Sequence, residues 1–274
     1  MELKNIYSQF GEDGVIEYVM EILRKAECSD KWCLDVGAWD GLHLSNTANL
    51  IIHHEFSAVL IEADKERFHE LSSNFSTKPV TAINMYVNFE GQDTLDKVLS
   101  RTDIPTNFDF LSIDIDGCDF YIFESLTKYR PKLICIEFNP TIPNSVEYVN
   151  PRNFSVKHGS SAKSIAMLAK AKNYKLLTST TCNLFLIASE YSSLLFDNEP
   201  SLDQVRISNE CEVFLFSTYD GTIKTSQEML LPWHNLAISD KNLQILPKIF
   251  RKYPGDYGPL RRKFYFFYSR FIRR

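Results

Sequence analysis

The stretch that decides the fold is CLDVGAWDGLHLSN, residues 33–46. An apolar run leads into Asp35, and two glycines follow at Gly37 and Gly41. Ser45, which we expect to contact a bound cofactor, then precedes an apolar segment suited to a helix. The glycines allow the backbone to turn sharply and to approach a ligand closely, and the start of a helix offers free N–H groups to that ligand. This stretch predicts the strand, tight turn and helix that open a nucleotide-binding α/β sheet.

The spacing of the two glycines distinguishes between cofactor classes. A dinucleotide site uses G-x-G-x-x-G, whereas this turn reads G-x-x-x-G with an acid two residues before the first glycine. A nicotinamide-dependent oxidoreductase is therefore a rival hypothesis that the motif disfavours.

Strands and helices alternate along the chain after this turn. Predicted strands cover residues 32–36, 57–61, 80–87, 108–115, 133–138, 175–178 and 184–188, and predicted helices cover 12–25, 46–53, 65–74, 93–99, 119–126 and 161–172. The last two strands are close enough to form an antiparallel pair. The pattern predicts an α/β fold with a doubly wound, mostly parallel seven-stranded sheet and a reversed edge strand.

The domain prediction divides the chain into three parts. We expect the main domain at residues 1–190, an appendage packed on the same domain at 191–247, and a basic, aromatic tail at 248–274. Within the appendage, residues 212–216 predict one further strand.

Composition limits the class of protein. The chain has 274 residues, 44% of them hydrophobic, which suffices for one large domain with an extension. Its formal net charge of −5 gives no nucleic-acid signature. The six cysteines lack the paired spacing of a zinc site, which indicates a reducing compartment. There is neither an apolar leader nor a run of about 18 apolar residues, so we expect a cytoplasmic protein.

The tail departs from this average. Residues 248–274 contain nine Lys or Arg and one Asp, a net charge of +8, so the remainder carries −13. Its end, LRRKFYFFYSRFIRR, interleaves aromatic and basic residues. Such a segment could lie at the inner face of a membrane, dock on its own domain, or contact a glycan-assembly protein; these three hypotheses stay open.

Two polar residues follow the second and third predicted strands. Glu62 lies about 20 residues beyond the glycine turn, where an acid can accept hydrogen bonds from ribose hydroxyls. Asn88 lies where an amide could read an adenine ring. For Glu62 the alternative is a surface carboxylate after a strand.

Acids also follow the fourth and fifth predicted strands. Asp114 and Asp116 are two residues apart, as are Glu137 and Asn139, and residues two apart on a strand face the same way. We therefore expect these groups to converge beside the glycine turn. Clustered carboxylates repel each other unless a cation lies among them. Asp116, Glu137 and Asn139 form a candidate Mg²⁺ or Mn²⁺ site, whereas Asp114 is expected to contact a cofactor. In the alternative, the acids accept backbone N–H bonds.

Two more segments carry candidate residues. His158 ends a long loop at the mouth of a helix and could act as a general base; the alternative is a solvated loop histidine. Gln9 belongs to the arm YSQFGEDG, residues 7–14. That arm either folds across the cofactor or forms a turn that caps the first helix.

The chain resembles the FkbM-like family of S-adenosylmethionine (SAM) dependent O-methyltransferases. The resemblance rests on the order and spacing of SQFGEDG, LDVGAWDGLHLSNT, VLIEAD, LSIDIDGCDFYIFESL, IEFNP and GSSAKSIAMLAKAKNYKLL, and it covers roughly residues 6–190. It implies a class I, Rossmann-like fold and methylation of a hydroxyl, often on a sugar. By this resemblance Asp35, Gly37 and Gly41 match the SAM loop, Glu62 the ribose acid, and Asp114 and Asp116 the acidic pair.

Motifs and resemblance together give the functional expectation. We expect an enzyme that methylates a hydroxyl of a sugar or surface glycan, with SAM as cofactor and His158, Asp116 and Glu137 as catalytic residues. Assistance by Mg²⁺ or Mn²⁺ stays open. The rival hypothesis is a catalytically silent SAM- or nucleotide-binding module that acts as an assembly partner in glycan biosynthesis.

Overall fold

The computed structural model describes residues 2–206 and 213–272. The chain divides into two compact units, Met1–Asn209 and Glu210–Arg274.

Unit 1 contains the seven-stranded sheet. Its strands are β1 (Trp32–Val36), β2 (Ser57–Glu62), β3 (Val80–Asn84), β4 (Phe110–Ile113), β5 (Leu133–Glu137), β6 (Tyr174–Ser179) and β7 (Asn183–Ala188). Its helices are α1 (Glu12–Lys25), α2 (Ala48–His53), α3 (Lys65–Asn74), α4 (Leu95–Leu99), α5 (Asp119–Ser125), α6 (Ala162–Ala171) and α7 (Leu202–Val205).

The order of strands is β3-β2-β1-β4-β5-β7-β6. The first five strands in this order pair in parallel, whereas β7 is antiparallel to both β5 and β6. This confirms the predicted α/β fold class with a doubly wound, mostly parallel seven-stranded sheet. The predicted reversed edge strand is wrong, because the reversed strand β7 lies between β5 and β6, and β6 forms the edge.

Helices cover both faces of the sheet, which explains why its central strands are mostly apolar. Leu34 and Val36 of β1 face a core that also contains apolar residues of α4, α5 and α6. Cys33 faces the opposite core, which α1, α2 and α3 complete. The ends of the parallel strands lie between these two layers, and β1, β4 and β5 lie side by side at the centre.

Two strands are shorter than predicted by more than one residue. β3 ends at Asn84 instead of residue 87, and β4 covers Phe110–Ile113 instead of 108–115. The carboxylate of Asp119 accepts the N–H groups of Ile115 and Gly117, so this segment forms a turn. Asp116 has a left-handed backbone with φ of 58°, which no strand residue adopts.

The predicted boundary after residue 190 is earlier than the division near residue 210. Tyr191, Leu202 and Val205 pack against the core of unit 1, and the Glu199 carboxylate accepts the N–H of Leu176 in β6. Part of the predicted appendage therefore belongs with the sheet.

Unit 2 combines two small hairpins with a C-terminal helix. The hairpins are β8–β9 (Leu215–Ser217, Ile223–Thr225) and β10–β11 (Met229–Leu231, Leu236–Ile238), and the helix is α8 (Pro259–Ile272). The predicted strand 212–216 corresponds to β8, although residue 212 lies outside the described residues.

The structure also describes the helices and the cysteines that the sequence analysis considered. Of the helices in the described ranges, none combines the length and apolar character needed to cross a membrane. The five described cysteines are free thiols, whereas Cys211 lies outside the described part of the chain.

Candidate active site

The turn after β1 brings the first strand against the end of β4. The N–H groups of Gly37 and Ala38 both donate to the carbonyl oxygen of Ile61, at 3.0 Å. Gly37 has φ of 91°, and a Cβ atom added there would lie 1.8 Å from the backbone oxygen of Asp114. Only glycine allows this contact, so Gly37 sets the position of Asp114 beside the turn.

Gly41 has a different role in the same turn. Its φ is 77°, and an added Cβ would lie 2.4 Å from the ring of Phe75. The turn is further held by Asp40, whose carboxylate accepts the N–H groups of Leu42 and His43 at 2.9 and 2.7 Å. Gly41 thus allows the turn to pack against Phe75 rather than leaving space for a ligand.

Asp35 and Ser45, both predicted to bind the cofactor, are turned towards the start of α2. Asp35 Oδ2 accepts the Thr47 hydroxyl at 2.8 Å. Ser45 Oγ accepts the N–H groups of Thr47 and Ala48 at 3.2 and 3.1 Å. The expectation of free N–H groups at this helix start is therefore wrong for those two donors. Loss of water raises the pKa of Asp35 to about 6, although the Thr47 bond opposes the shift.

Glu62 lies at the end of β2, as predicted, and is buried. Its carboxylate accepts the N–H groups of Trp39 at 2.8 Å and Asp64 at 2.7 Å. It therefore links the glycine turn to the start of α3. Each carboxylate oxygen has two acceptor positions, so the group keeps the capacity to accept ribose hydroxyls.

Asn88 and Gln9 make local contacts. The amide oxygen of Asn88 accepts the N–H groups of Phe89 and Glu90 within its own turn. Gln9 is exposed, and its backbone oxygen accepts the side-chain amide of Asn5. These contacts do not place Asn88 or Gln9 beside Asp114 or Glu137. Their contact with a cofactor stays a prediction.

The N-terminal arm is held by two buried acids. Asp13 Oδ2 accepts the N–H groups of Ile6, Tyr7 and Ser8 at 2.7 to 2.9 Å. Glu12 accepts the side chains of Thr180 and Asn183, which flank the turn between β6 and β7. Glu12 and Asp13 thus hold the arm against the sheet. The arm therefore does more than cap the first helix, which was the alternative in the sequence analysis.

Three carboxylates meet at the ends of β4 and β5. Oxygen atoms of Asp114, Asp119 and Glu137 all lie within 4.8 Å of one another; we call this set the acidic cluster. Asp119 also uses its two oxygens to hold the turn at residues 115–117. The prediction missed Asp119 as a member, although the sequence signal, an acid five residues after Asp114, was present.

Asp116 and Asn139, both predicted metal ligands, lie outside the acidic cluster. The Asp116 side chain is 80% exposed and lies 3.8 Å from Lys157 Nζ. The amide oxygen of Asn139 accepts the N–H and hydroxyl of Thr141, and its NH₂ donates to the carbonyl of His158. Because β4 ends at Ile113, the two-residue spacing does not turn Asp116 towards Asp114, and that part of the prediction is wrong.

The carboxylates of the acidic cluster raise one another's pKa values. Loss of water and the charges of Asp119, Asp116 and Asp35 raise the pKa of Asp114 to about 7. Asp114 is an exposed residue, and the oxygens of Asp119 and Glu137 crowd its carboxylate. Burial and the charge of Asp114 raise the pKa of Glu137 well above its usual range. The pair therefore shares a proton near neutral pH, as crowded carboxylates do.

His158 is anchored beside the end of β5. Its ring Nδ1 lies 2.7 Å from the Tyr148 hydroxyl. Its backbone N–H donates to the Asn150 side chain at 3.1 Å, and its carbonyl accepts from Asn139 at 2.7 Å. Sequence reasoning missed Tyr148 and Asn150, because both lie in an irregular loop whose pattern carries no periodic signal.

Comparison with known proteins agrees with this geometry. Residues 61–176 match the family model described as Methyltransferase FkbM domain. This segment is therefore similar to the FkbM methyltransferase domain. The match confirms the resemblance and contains Glu62, Asp114, Glu137 and His158, but it begins after the glycine turn.

The solved structures that this chain resembles are distant from it. The N-terminal domain of EvdMO1, determined in the presence of SAH and D-fucose, is 10% identical, with 65% of this chain and 82% of that chain covered and a TM-score of 0.40. A SAM-dependent methyltransferase from Aquifex aeolicus is 10% identical, with 64% and 97% covered and a TM-score of 0.36. Comparison with proteins of curated function finds no match.

Proposed function

We propose that the chain is a SAM-dependent O-methyltransferase that acts on a hydroxyl of a sugar or surface glycan. The observation that carries the proposal is the acidic cluster beside the glycine turn, at the ends of the central strands, where ligands bind in sheets of this kind. Within residues 2–206, the ion pair found at this edge joins Lys157 to Asp116. Asp114 and Glu137 have no such partner in the same range, so a cationic ligand would relieve their repulsion.

The residues of the site fit SAM. SAM bears a sulfonium and an ammonium group, and bound SAM supplies an electrophilic methyl group for direct displacement. The raised pKa values of Asp114 and Glu137 are the property that a positive charge would reverse. Glu62 would hold the ribose through its free acceptor positions, and Gly37 keeps Asp114 close to the turn.

His158 is the proposed general base. When its Nδ1–H donates to Tyr148 Oη, Nε2 keeps its lone pair and can accept the proton of an acceptor hydroxyl. Tyr148 Oη can accept this hydrogen bond, and the bonds from Asn139 and to Asn150 would hold the backbone of the base. A neutral sugar hydroxyl is the acceptor that most needs such help, because its own pKa is far above neutrality.

A divalent cation is the alternative way to activate the hydroxyl. The oxygen ligands of the acidic cluster suit Mg²⁺ or Mn²⁺. Such an ion would lower the pKa of a bound hydroxyl. The general-base hypothesis requires His158 to accept the proton of the hydroxyl, whereas the metal hypothesis does not. Replacement of His158 therefore separates the two hypotheses.

The first experiment is calorimetric titration of SAM into the full chain with Mg²⁺ and then with EDTA. We expect micromolar binding that EDTA leaves unchanged and that Glu137→Gln weakens. Glu90→Gln, which replaces an exposed acid, is the matched control. A loss of SAM binding in EDTA would favour the metal hypothesis, and absence of binding in every condition would refute the proposal.

The second experiment measures transfer of a labelled methyl group from SAM to a panel of sugars and glycans. A methyl ether resists mild base, whereas a methyl ester releases methanol, so base treatment identifies O-methylation of a hydroxyl. We expect His158→Asn to lower kcat roughly 100-fold or more, and His69→Asn, an exposed histidine of α3, to leave it unchanged. SAM binding without transfer to any acceptor would support the silent binding module instead.

A further inference from the structure

The C-terminal helix α8 has one face that packs on unit 2. The ring of Tyr265 lies 5.8 Å from that of Phe250, and the ring of Tyr268 lies 5.2 Å from it. The Tyr268 hydroxyl donates to the carbonyl of Ile245 at 2.8 Å. These contacts fix which way the helix faces, because Tyr265 and Tyr268 are three residues apart on one side.

A different side of α8 carries four large apolar residues that are open to solvent. Leu260, Phe264, Phe267 and Phe271 are spaced by four, three and four residues, so they form one continuous stripe along the helix. Their exposed fractions are 75%, 67%, 58% and 87%. We call these four residues the aromatic stripe. Continuous apolar surface of this kind usually marks an interaction site.

Basic residues flank the aromatic stripe. Lys263 and Arg270 lie on the helix face next to it, at the angles that a period of 3.6 residues gives, and both are exposed. Arg261 and Arg262 add charge near the start of the helix, and α8 contains no acid. The sequence continues with two more arginines. Long basic side chains can extend from an apolar stripe to the phosphates above it.

We propose that the aromatic stripe of α8 lies in the headgroup region of an anionic membrane. Phe and Leu on one face with Lys and Arg beside them is the composition of helices that lie in this interface. A helix of 14 residues is about 21 Å long, so it suits a position in the membrane plane. Charge complementarity favours anionic lipid, since residues 248–274 carry +8 while the rest of the chain carries −13.

The charge distribution also predicts the orientation of binding. The acidic remainder of the chain is repelled by an anionic surface, whereas the helix is attracted, at roughly fivefold in partition per basic residue. The membrane should therefore be reached through α8. This inference does not depend on the proposed methyl transfer.

The test is co-sedimentation of the full chain with vesicles of phosphatidylcholine alone and with 30% phosphatidylglycerol. We expect binding to the anionic vesicles that falls as salt rises, because exposed charges are screened. Phe267→Ser should lower the partition coefficient about tenfold. Tyr253→Ser is the matched control: Tyr253 is 57% exposed, against 58% for Phe267, but it lies before α8 and outside the stripe.

Each variant is checked for folding by circular dichroism and thermal melting. A chain that stays in the supernatant with anionic vesicles would overturn the proposal. Equal effects of Tyr253→Ser and Phe267→Ser would also overturn it, because the stripe would then have no special role. If Phe267→Ser instead abolishes dimers in sedimentation equilibrium while vesicle binding is absent, the stripe binds a second copy and not a membrane.

Discussion

Replacing Glu137 by Gln should stabilise the fold while weakening the binding of SAM. Carboxylate oxygens of Glu137 and Asp114 lie within 4.8 Å, and two unit charges at that distance would repel by about 3 kcal/mol at an effective dielectric constant of about 20. The folded pair therefore keeps a proton that the unfolded chain releases, and this retention lowers stability. Asp114 is exposed, so solvent reduces the repulsion. We expect a gain in the free energy of unfolding of about 1–3 kcal/mol at pH 8.

The same variant should change the pH dependence of stability. The pKa of Asp114 is raised to about 7 and that of Glu137 is raised further. A carboxyl group with a raised pKa in the folded state contributes stability at low pH, and this stability is lost as pH rises through the folded pKa. The gain in the free energy of unfolding from Glu137→Gln should therefore be small at pH 5 and grow up to pH 8. The neighbouring acids Asp35, Asp116 and Asp119 also raise the pKa of Asp114 and contribute to this pH dependence.

Urea denaturation at pH 5 and pH 8, followed by tryptophan fluorescence, measures both quantities. Glu90→Gln serves as the control, because that exposed acid has no close carboxylate partner among the contacts described, and it should show no difference between the two pH values. An unchanged or lower stability of Glu137→Gln at pH 8 would refute the idea that repulsion is stored in the acidic cluster. So would a gain that does not vary with pH.

Three further substitutions test the scaffold of the site. Lys132→Met should cost about 3–5 kcal/mol in urea denaturation, because it leaves the fully buried Asp109, now 2.8 Å from Lys132 Nζ, without its cation. Gly37→Ala should cost roughly 3 kcal/mol or more and abolish SAM binding in calorimetry, since the new Cβ would collide with the backbone of Asp114. Asp64→Ala should lower thermal stability by about 1 kcal/mol, because Asp64 caps the start of α3, with SAM affinity unchanged; a loss of affinity would show that α3 takes part in binding.

The sequence allowed good prediction of elements whose signal is local. The apolar face of α1 was visible from its period alone, and Val15, Ile16 and Val19 are all buried. The bounds of β1 and α3 agree with the prediction to the residue. The reversed pair β6–β7 was predicted from its short connection, since two nearby strands can pair only by reversing direction.

Side-chain direction at the strand ends was harder to predict. Asp114 and Asp116 alternate correctly for a strand, but Asp119 captures the intervening N–H groups and forces a turn, so Asp116 moves into solvent. Asp35 and Ser45 fitted a cofactor loop by position, yet both bond to the start of α2. In each case a hydrogen bond with another residue, and not the local sequence pattern, decided the direction of the side chain.

The sequence by itself therefore determined the order of strands and helices, the glycine turn, and the presence of acids at the ends of β2, β4 and β5. Those features follow from periodicity and from residue types that only some backbones accept. The tertiary structure decided that Asp114, Asp119 and Glu137 meet, that Tyr148 holds His158, and that the aromatic stripe of α8 stays exposed. The physical reason is that these contacts join residues far apart along the chain, and their geometry depends on turns and packing that no local pattern encodes.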